Sequence, residues 1–457
     1  MGVFIRFAVV AVAFLLAVLL QNYRLLSRSL PAPKLNDTEY WGPGNGVNYQ
    51  EDSAVKTFDI KVKPELIAGL KTHLSRPLNL HAPLEGIGFQ YGFNTKELQN
   101  IVTYWLETYL RNWDKREAYL SQFPHFETQI QGLRIHYIHV KPQIAEGKTV
   151  LPLLLLHGWP GSVREFYDII PLLTSPNEES EYIFEVIAPS LPGFGWSQGA
   201  SKIGFGPAEI AVVLRNLMQR ILAHDRFLVQ GGDWGSVIGS NMAALFPQNV
   251  LAYHSNWCVS LSPLALVTKT LRALFPRLYL DSEQREFFRS FSDEKSYLLE
   301  ETGYLHLQAT KPDTIGTVLS HNPIGLAAYI LEKFSTWTNP EYRKLSDGGL
   351  TKNYTLDSLL DNVMIYYITN SITTSQRTYA EAFSKTQTDL DRVHIQTPTA
   401  CARFKWDLTH ATDAELKHKY KNLTQSTFYK DGGHFPALEV PQTLFKDFIE
   451  FVKKVAL

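Results

Sequence analysis

Cysteine is nearly absent: Cys258 and Cys401 are the two in 457 residues. They lack metal-ligand spacing, and two cysteines in so long a chain indicate no disulfide framework, which favours a reducing compartment. An excess of one charge is also missing. Lys and Arg number 44 against 45 Asp and Glu, a net charge of −1, so no polybasic field points to nucleic acid. Internal repeats and low-complexity tracts are absent too, which excludes a solenoid. What is present is ordinary for a globular enzyme. Hydrophobic residues make up 45% and charged residues 19%, enough to bury a large core. Aromatics reach 12%, which fits apolar ligand pockets.

The N-terminus departs from this average. Phe7 to Leu20 is an unbroken apolar run of 14 residues, and Val3 to Ile5 extend it past Arg6. Roughly 20 apolar residues cross a bilayer, so the run is a short span if Arg6 snorkels. Its end, Leu20-Gln21-Asn22-Tyr23, has no small-x-small cleavage site, which favours an uncleaved anchor over a signal peptide. Arg24, Arg28 and Lys34 follow the run and only Arg6 precedes its main part, so the body is expected in the cytosol. Arg6 also stands where a myristoyl signal needs Ser or Thr. Sequons at Asn36, Asn353 and Asn422 are then expected to stay unmodified.

The remainder alternates short strands with helices. Pro31 to Gly46 is a loop; Gly42-Pro43-Gly44-Asn45-Gly46 neither follows a strand nor opens a helix, so it is no phosphate loop. Glu51 to Lys148 is mostly helical, with apolar residues at helical spacing over Thr95 to Leu110 and a strand over Leu133 to Val140. Val150 to Leu156, Tyr182 to Ile187 and Phe227 to Gln230 are buried apolar strands. Helices over Pro207 to His224 and from the 231–235 motif to Phe246 lie among them. That order implies a parallel sheet covered on both faces. Val259 to Asn370 breaks the rhythm as an aromatic-rich helical block, read as a lid. The strand pattern resumes at His394 to Phe404 and Ser426 to Tyr429, and Gln442 to Val452 forms a closing helix.

Gly231-Gly232-Asp233-Trp234-Gly235 has the form Gly-x-nucleophile-x-Gly, a sharp strand-to-helix turn that lifts its central side chain above the sheet. The slot holds Asp233, neither serine nor cysteine. A carboxylate is ionised near neutral pH and attacks saturated carbon without a base, leaving an ester. The competing role for Asp233 is a helix cap. Cleaving the ester needs an activated water. His434, in Gly432-Gly433-His434-Phe435 after a late strand, stands where this fold places its base. Asp407 is the candidate to orient His434; Asp413, at a helix start, and Asp431, in a turn, are the competitors. Backbone N–H groups of Trp159, in His157-Gly158-Trp159-Pro160, and of Trp234 can form an oxyanion hole.

With these motifs in place, nearly the whole chain resembles microsomal epoxide hydrolases. The likeness covers the N-terminal run, Trp41-Gly42-Pro43-Gly44, HGWPG at 157–161 and GGDWG at 231–235. It continues through Ala309-Thr310-Lys311-Pro312-Asp313-Thr314, Gly325 to Asn339 and the final GGHF. The resemblance implies an α/β-hydrolase fold with a helical lid, a wrapping N-terminal meander and a membrane anchor. The expected division is an anchor over 1–23, linker and meander over 24–148 and a first core part over 149–258. A lid over 259–370 and the rest of the core over 371–457 complete it. It implies Asp233 as nucleophile, His434 as base and Asp407 at the acid position, where many members carry glutamate. It also places Tyr304 and Tyr379 over the epoxide, where phenols can protonate the developing alkoxide.

Within that family the chain looks most like the insect branch, whose members hydrate juvenile hormone, a terpenoid epoxide ester. A detoxifying role for general lipophilic epoxides stays open. So do a haloalkane dehalogenase, which would use indole donors such as Trp234 for halide, and a non-catalytic lipophile-binding protein. The expected partners are an epoxide, water and an endoplasmic reticulum membrane. No metal or organic cofactor is called for, because water is the second substrate.

Overall fold

The computed structural model describes residues 20–143, 145–178 and 180–455. Nine strands among them form one sheet: β1 (Lys56–Thr57), β2 (His125–Ile130), β3 (Leu133–Val140), β4 (Thr149–Leu156), β5 (Tyr182–Pro189), β6 (Phe227–Gly231), β7 (Val250–Ser255), β8 (Thr399–Phe404) and β9 (Leu423–Tyr429). Their spatial order is β1-β2-β3-β5-β4-β6-β7-β8-β9. β1, β2 and β3 are antiparallel, and β3 meets β5 antiparallel; from β5 to β9 every pairing is parallel. The central strands read as continuous apolar runs because helices cover both faces; Leu153 to Leu156 are buried.

Helices pack around this sheet: α1 (Pro64–Leu74), α2 (Thr95–Tyr104), α3 (Trp113–Leu120), α4 (Pro207–Asn216), α5 (Asp233–Leu245), α6 (Pro263–Leu274), α7 (Phe291–Glu301), α8 (Gly303–Thr310), α9 (Pro323–Thr336), α10 (Leu356–Thr369), α11 (Ile372–Glu381) and α12 (Pro441–Val455). The N-terminal helices are tied to the lid through buried Asp361 of α10. Tyr109 donates to it at 2.8 Å, Arg116 Nε at 3.0 Å and Arg164 Nε at 3.2 Å. One carboxylate thus joins the meander, the loop after β4 and the lid.

Several expectations change. The helical stretch between β7 and β8 does not stop at residue 370 but runs to Leu390. Asn370, at φ 53°, ends α10 in the left-handed conformation, and that break resembles a domain edge in sequence. β2 and β7 escape the pattern because His125, Glu127, Gln129 and His254 interrupt their apolar residues. The cysteines require a correction: Cys258 and Cys401 are joined as a disulfide, with Cα atoms 5.8 Å apart. Ser255 of β7 lies in register with Cys401 of β8, an adjacency that the sequence separation of 143 between the two cysteines conceals. The compartment argument drawn from cysteine scarcity therefore falls away.

The N-terminal apolar run lies almost wholly outside the described residues. Among the described residues no helix is long and apolar enough to cross a membrane.

Candidate active site

β6 ends at Gly231, and α5 begins two residues later at Asp233. Asp233 takes a φ of 48°, a conformation rare for a residue with a side chain. The glycines around it are forced by crowding. A Cβ on Gly235 would lie 2.0 Å from the Leu156 carbonyl oxygen, and one on Gly158 would lie 2.1 Å from the Asp233 carboxylate. The turn therefore aims the carboxylate above the carboxyl ends of β4 and β6.

Three of the expected groups converge there. His434 donates through Nδ1 to Asp407 Oδ1 at 2.6 Å, and its Nε2 lies 3.2 Å from Asp233 Oδ2. The Trp159 N–H donates to Asp233 Oδ1 at 2.7 Å. The Trp234 N–H stands in the first turn of α5, where no intrahelical acceptor exists. The competing acids are used elsewhere. Asp413 pairs with Arg403 at 2.8 Å, and Asp431 accepts from the Gly432 N–H at 2.9 Å.

Burial works against a charged His434, but Asp407 and Asp233 outweigh it and hold its pKa up at about 10. The resting site is thus an imidazolium between two carboxylates. The histidine is fixed from outside by the Trp337 carbonyl, which accepts from the His434 N–H at 2.9 Å, and by the Trp337 ring, edge-on at 5.1 Å.

The two tyrosines come from different lid helices and meet over Asp233. Tyr304, in α8, stacks on Trp159 at 5.3 Å between centroids; Tyr379, in α11, stands edge-on to Trp234 at 4.7 Å and to Tyr304 at 5.9 Å. Burial, reinforced by Asp233, pushes both phenols well above their ordinary pKa, so they stay protonated donors. A cavity of about 180 Å³ joins Asp233, Trp234, Tyr304 and Tyr379, walled by Trp257, Leu298, Trp337 and Leu408. Two larger surface clefts do not reach Asp233.

Two glutamates join the site that the sequence did not reveal. Glu439 accepts from the N–H groups of Gly433 and Phe435, each at 2.8 Å, and so clamps the loop that carries His434. Glu165 lies under the HGWPG loop, so close that a Cβ on Gly161 would strike its carboxyl at 1.5 Å. Burial pushes each carboxyl up to about 8. Glu165 follows Arg164 four residues past Gly161, and nothing in that mixed stretch marks it as buried. Together, these groups can alkylate a carboxylate, protonate the departing oxygen and deliver water to the ester.

Comparison with known proteins places the chain among epoxide hydrolases. Residues 55–166 match the family described as epoxide hydrolase N terminus, and residues 152–398 match the alpha/beta hydrolase fold. The chain is 48% identical to juvenile hormone epoxide hydrolase 1 of Ctenocephalides felis, covering 94% of this chain and 92% of that protein. It is 42% identical to epoxide hydrolase 1 of Oryctolagus cuniculus, covering 90% and 92%. The crystal structure of juvenile hormone epoxide hydrolase from Bombyx mori superposes with a TM-score of 0.89 at 45% identity. That match covers 92% of this chain and 99% of the other.

Proposed function

The chain belongs to the microsomal epoxide hydrolase family and is an epoxide hydrolase, and from that premise we propose its substrate, mechanism and location. The substrate is a lipophilic epoxide of the juvenile hormone class, converted to the vicinal diol. What supports the class is identity to relatives of that name over most of the chain, together with the apolar cavity.

The single observation that carries the mechanism is the Asp233–His434–Asp407 line beneath two buried phenols. Asp233 attacks one epoxide carbon and forms an ester as the C–O bond of the ring breaks. Tyr304 and Tyr379 donate the proton that neutralises the leaving oxygen. Esterification removes the Asp233 charge that helped hold the His434 proton. The imidazolium proton then replaces the one the phenols gave up, which leaves His434 neutral. Neutral His434, oriented by Asp407, takes a proton from water as the water attacks the ester carbonyl of Asp233. The N–H groups of Trp159 and Trp234 receive the developing oxyanion. Collapse expels the alkoxide, which takes up the hydroxyl proton left on the Asp233 carboxyl, so the diol departs, the carboxylate is restored and His434 keeps the proton it took from water.

The chain is placed at the endoplasmic reticulum membrane through residues 1–23, with its body in the cytosol. The apolar run and the flanking Arg24, Arg28 and Lys34 support this. A glycosidase-sensitive mobility shift would reverse the orientation.

Diol formation from juvenile hormone and from a panel of other lipophilic epoxides tests the function. Turnover of the hormone at low concentration, abolished in Asp233→Asn, is the expected result. Efficient turnover of the other epoxides with the hormone left intact would point to detoxification. Halide release from haloalkanes without epoxide hydration would overturn the reaction.

A further inference from the structure

Helix α6 is inside out for a helix facing water. It buries Leu264 and Ala265 at its start, but beyond them its inward contacts are polar: Thr268 Oγ1 lies 2.8 Å from His418 Nε2, and Arg272 Nε donates to Glu415 at 2.6 Å. Its outward face is apolar, with Leu266, Val267, Leu271 and Leu274 exposed, and Leu278 beyond its end is 81% exposed. A surface helix in water shows the reverse pattern. A contiguous apolar patch of this kind marks an interaction surface.

The patch continues to the mouth of the active site. Lys269 of α6 lies 3.4 Å from Glu294 of α7, and α7 exposes Phe291, Leu298 and Leu299. Leu298 also lines the catalytic cavity. One side chain therefore belongs to both the outer apolar face and the route to Asp233.

The first described residues lie towards the same face. The described chain starts as a helix over 20–27, with Leu20, Tyr23, Leu25 and Leu26 exposed. It is then tied down: the Leu30 N–H donates to the Arg392 carbonyl at 3.2 Å, and the His394 N–H donates to Ser29 Oγ at 3.0 Å. The next residue, Ile395, donates its N–H to the Lys419 carbonyl at 2.9 Å, and the neighbouring His418 is the partner of Thr268 on α6. Exposed Arg24, Arg28, Lys417 and Lys421 edge the patch on that side and suit lipid phosphates.

We propose that the outer face of α6 and α7 lies on the lipid bilayer, so that a lipophilic epoxide passes from the acyl region past Leu298 to Asp233 without crossing water. This rests on the membrane placement above and adds a second contact to the N-terminal anchor. Insertion of such a face to headgroup depth is the usual behaviour of an interfacial amphipathic helix.

The test uses the full chain on phosphatidylcholine–phosphatidylserine vesicles, with a polarity-sensitive fluorophore attached in Leu274→Cys, Leu278→Cys or, as control, Val47→Cys. Val47 is 77% exposed and sits beside β2, near the opposite edge of the sheet from β9. Labels at 274 and 278 are expected to shift to the blue and to be quenched by bromine on the acyl chains, with the label at 47 unchanged. If the wild-type chain does not sediment with vesicles, the membrane placement fails and this inference fails with it. If the chain sediments but the labels at 274 and 278 behave like that at 47, the docking face alone is overturned. A blue shift without acyl-chain quenching overturns it as well, in favour of a second copy or the N-terminal run as the cover. As a second readout, Leu274→Asp with Leu278→Asp should raise KM for an epoxide dissolved in vesicles by roughly tenfold per leucine, the affinity that burying one such side chain is worth. kcat/KM for a small water-soluble epoxide should not change. An unaltered KM for the vesicle-borne epoxide would overturn the proposal.

Discussion

Nδ1 of His434 lies 2.6 Å from Oδ1 of Asp407, and the same ring turns Nε2 towards Asp233 at 3.2 Å. The histidine is therefore placed to serve ester cleavage and is not needed for ester formation. In His434→Gln, the intact mass after exposure to a lipophilic epoxide should rise by one epoxide, with the adduct mapped to Asp233. Asp407→Asn should slow turnover by about 10⁴-fold, the loss seen when the orienting acid of such a triad is removed. The ester should accumulate there as well. An unmodified Asp233 in both variants would show that the carboxylate is not the nucleophile.

Tyr304 and Tyr379 act on the other half of the reaction. Tyr304→Phe or Tyr379→Phe should lower the rate of ester formation by about 10²-fold, the low end of general acid catalysis. Neither should accumulate ester, because the water-activating histidine is intact. Pre-steady-state quenched flow separates the two steps. Ester build-up in either variant would reassign that phenol to deacylation. Losing both should cost less than the product of the single losses if the phenols share one proton donation.

How much of this was legible depended on whether the signal was local. Leu153 to Leu156, the GGDWG turn and the GGHF loop each carry their meaning within a few residues, so β4, the elbow and the place of His434 could be read directly. Asp407 could be chosen over Asp413 and Asp431 because a strand, β8, comes just before it. The tyrosines could not be singled out among 22 by spacing, and only resemblance brought Tyr304 and Tyr379 forward. Long-range contacts left no trace. Asp361 collects partners from the meander and the loop after β4, and Glu439 clamps a loop six residues upstream by its backbone. The cysteines misled for the same reason, since strand adjacency alone brings Cys258 to Cys401.

The disulfide makes a direct chemical prediction. A thiol alkylating agent should label neither cysteine in the denatured, unreduced chain and both after reduction. The bond joins the end of β7 to β8 across 143 residues. Cys258→Ser should therefore lower stability by about 2–5 kcal/mol in denaturant melts. The neighbouring Trp257 lines the catalytic cavity, so loosening this join should also raise KM for a lipophilic epoxide. Two free thiols in the native chain would show that Cys258 and Cys401 are not bonded.

Stability should fall as pH rises from about 7 to about 10. Burial raises Glu165 and Glu439 to about 8 from an ordinary 4.5, so between those values the folded chain holds protons that the unfolded chain has released. His434 opposes its own burial through Asp407 and Asp233 and is raised to about 10 from 6.5, which extends the same imbalance upward. Where the folded state binds more protons, the free energy of unfolding decreases with pH, so each contribution is complete below the unfolded pKa and lost through the folded one. Asp447 behaves in the opposite way. Burial opposes its charge, but His254, Thr427 and Tyr429 prevail and hold it at about 2, so its share is lost only in strong acid. Burial pushes His125, His157 and His410 down to about 4 and His136 well below its ordinary value, so between pH 4 and 6.5 the unfolded chain holds the extra protons and stability rises; calorimetric Tm should therefore be highest near pH 6–7 and decline to pH 10. Glu439→Gln removes one proton from the count and should flatten the decline between pH 7 and 8, whatever it does to the absolute Tm. A Tm that is level or rising over that window would mean that the two glutamates are ionised in the folded protein.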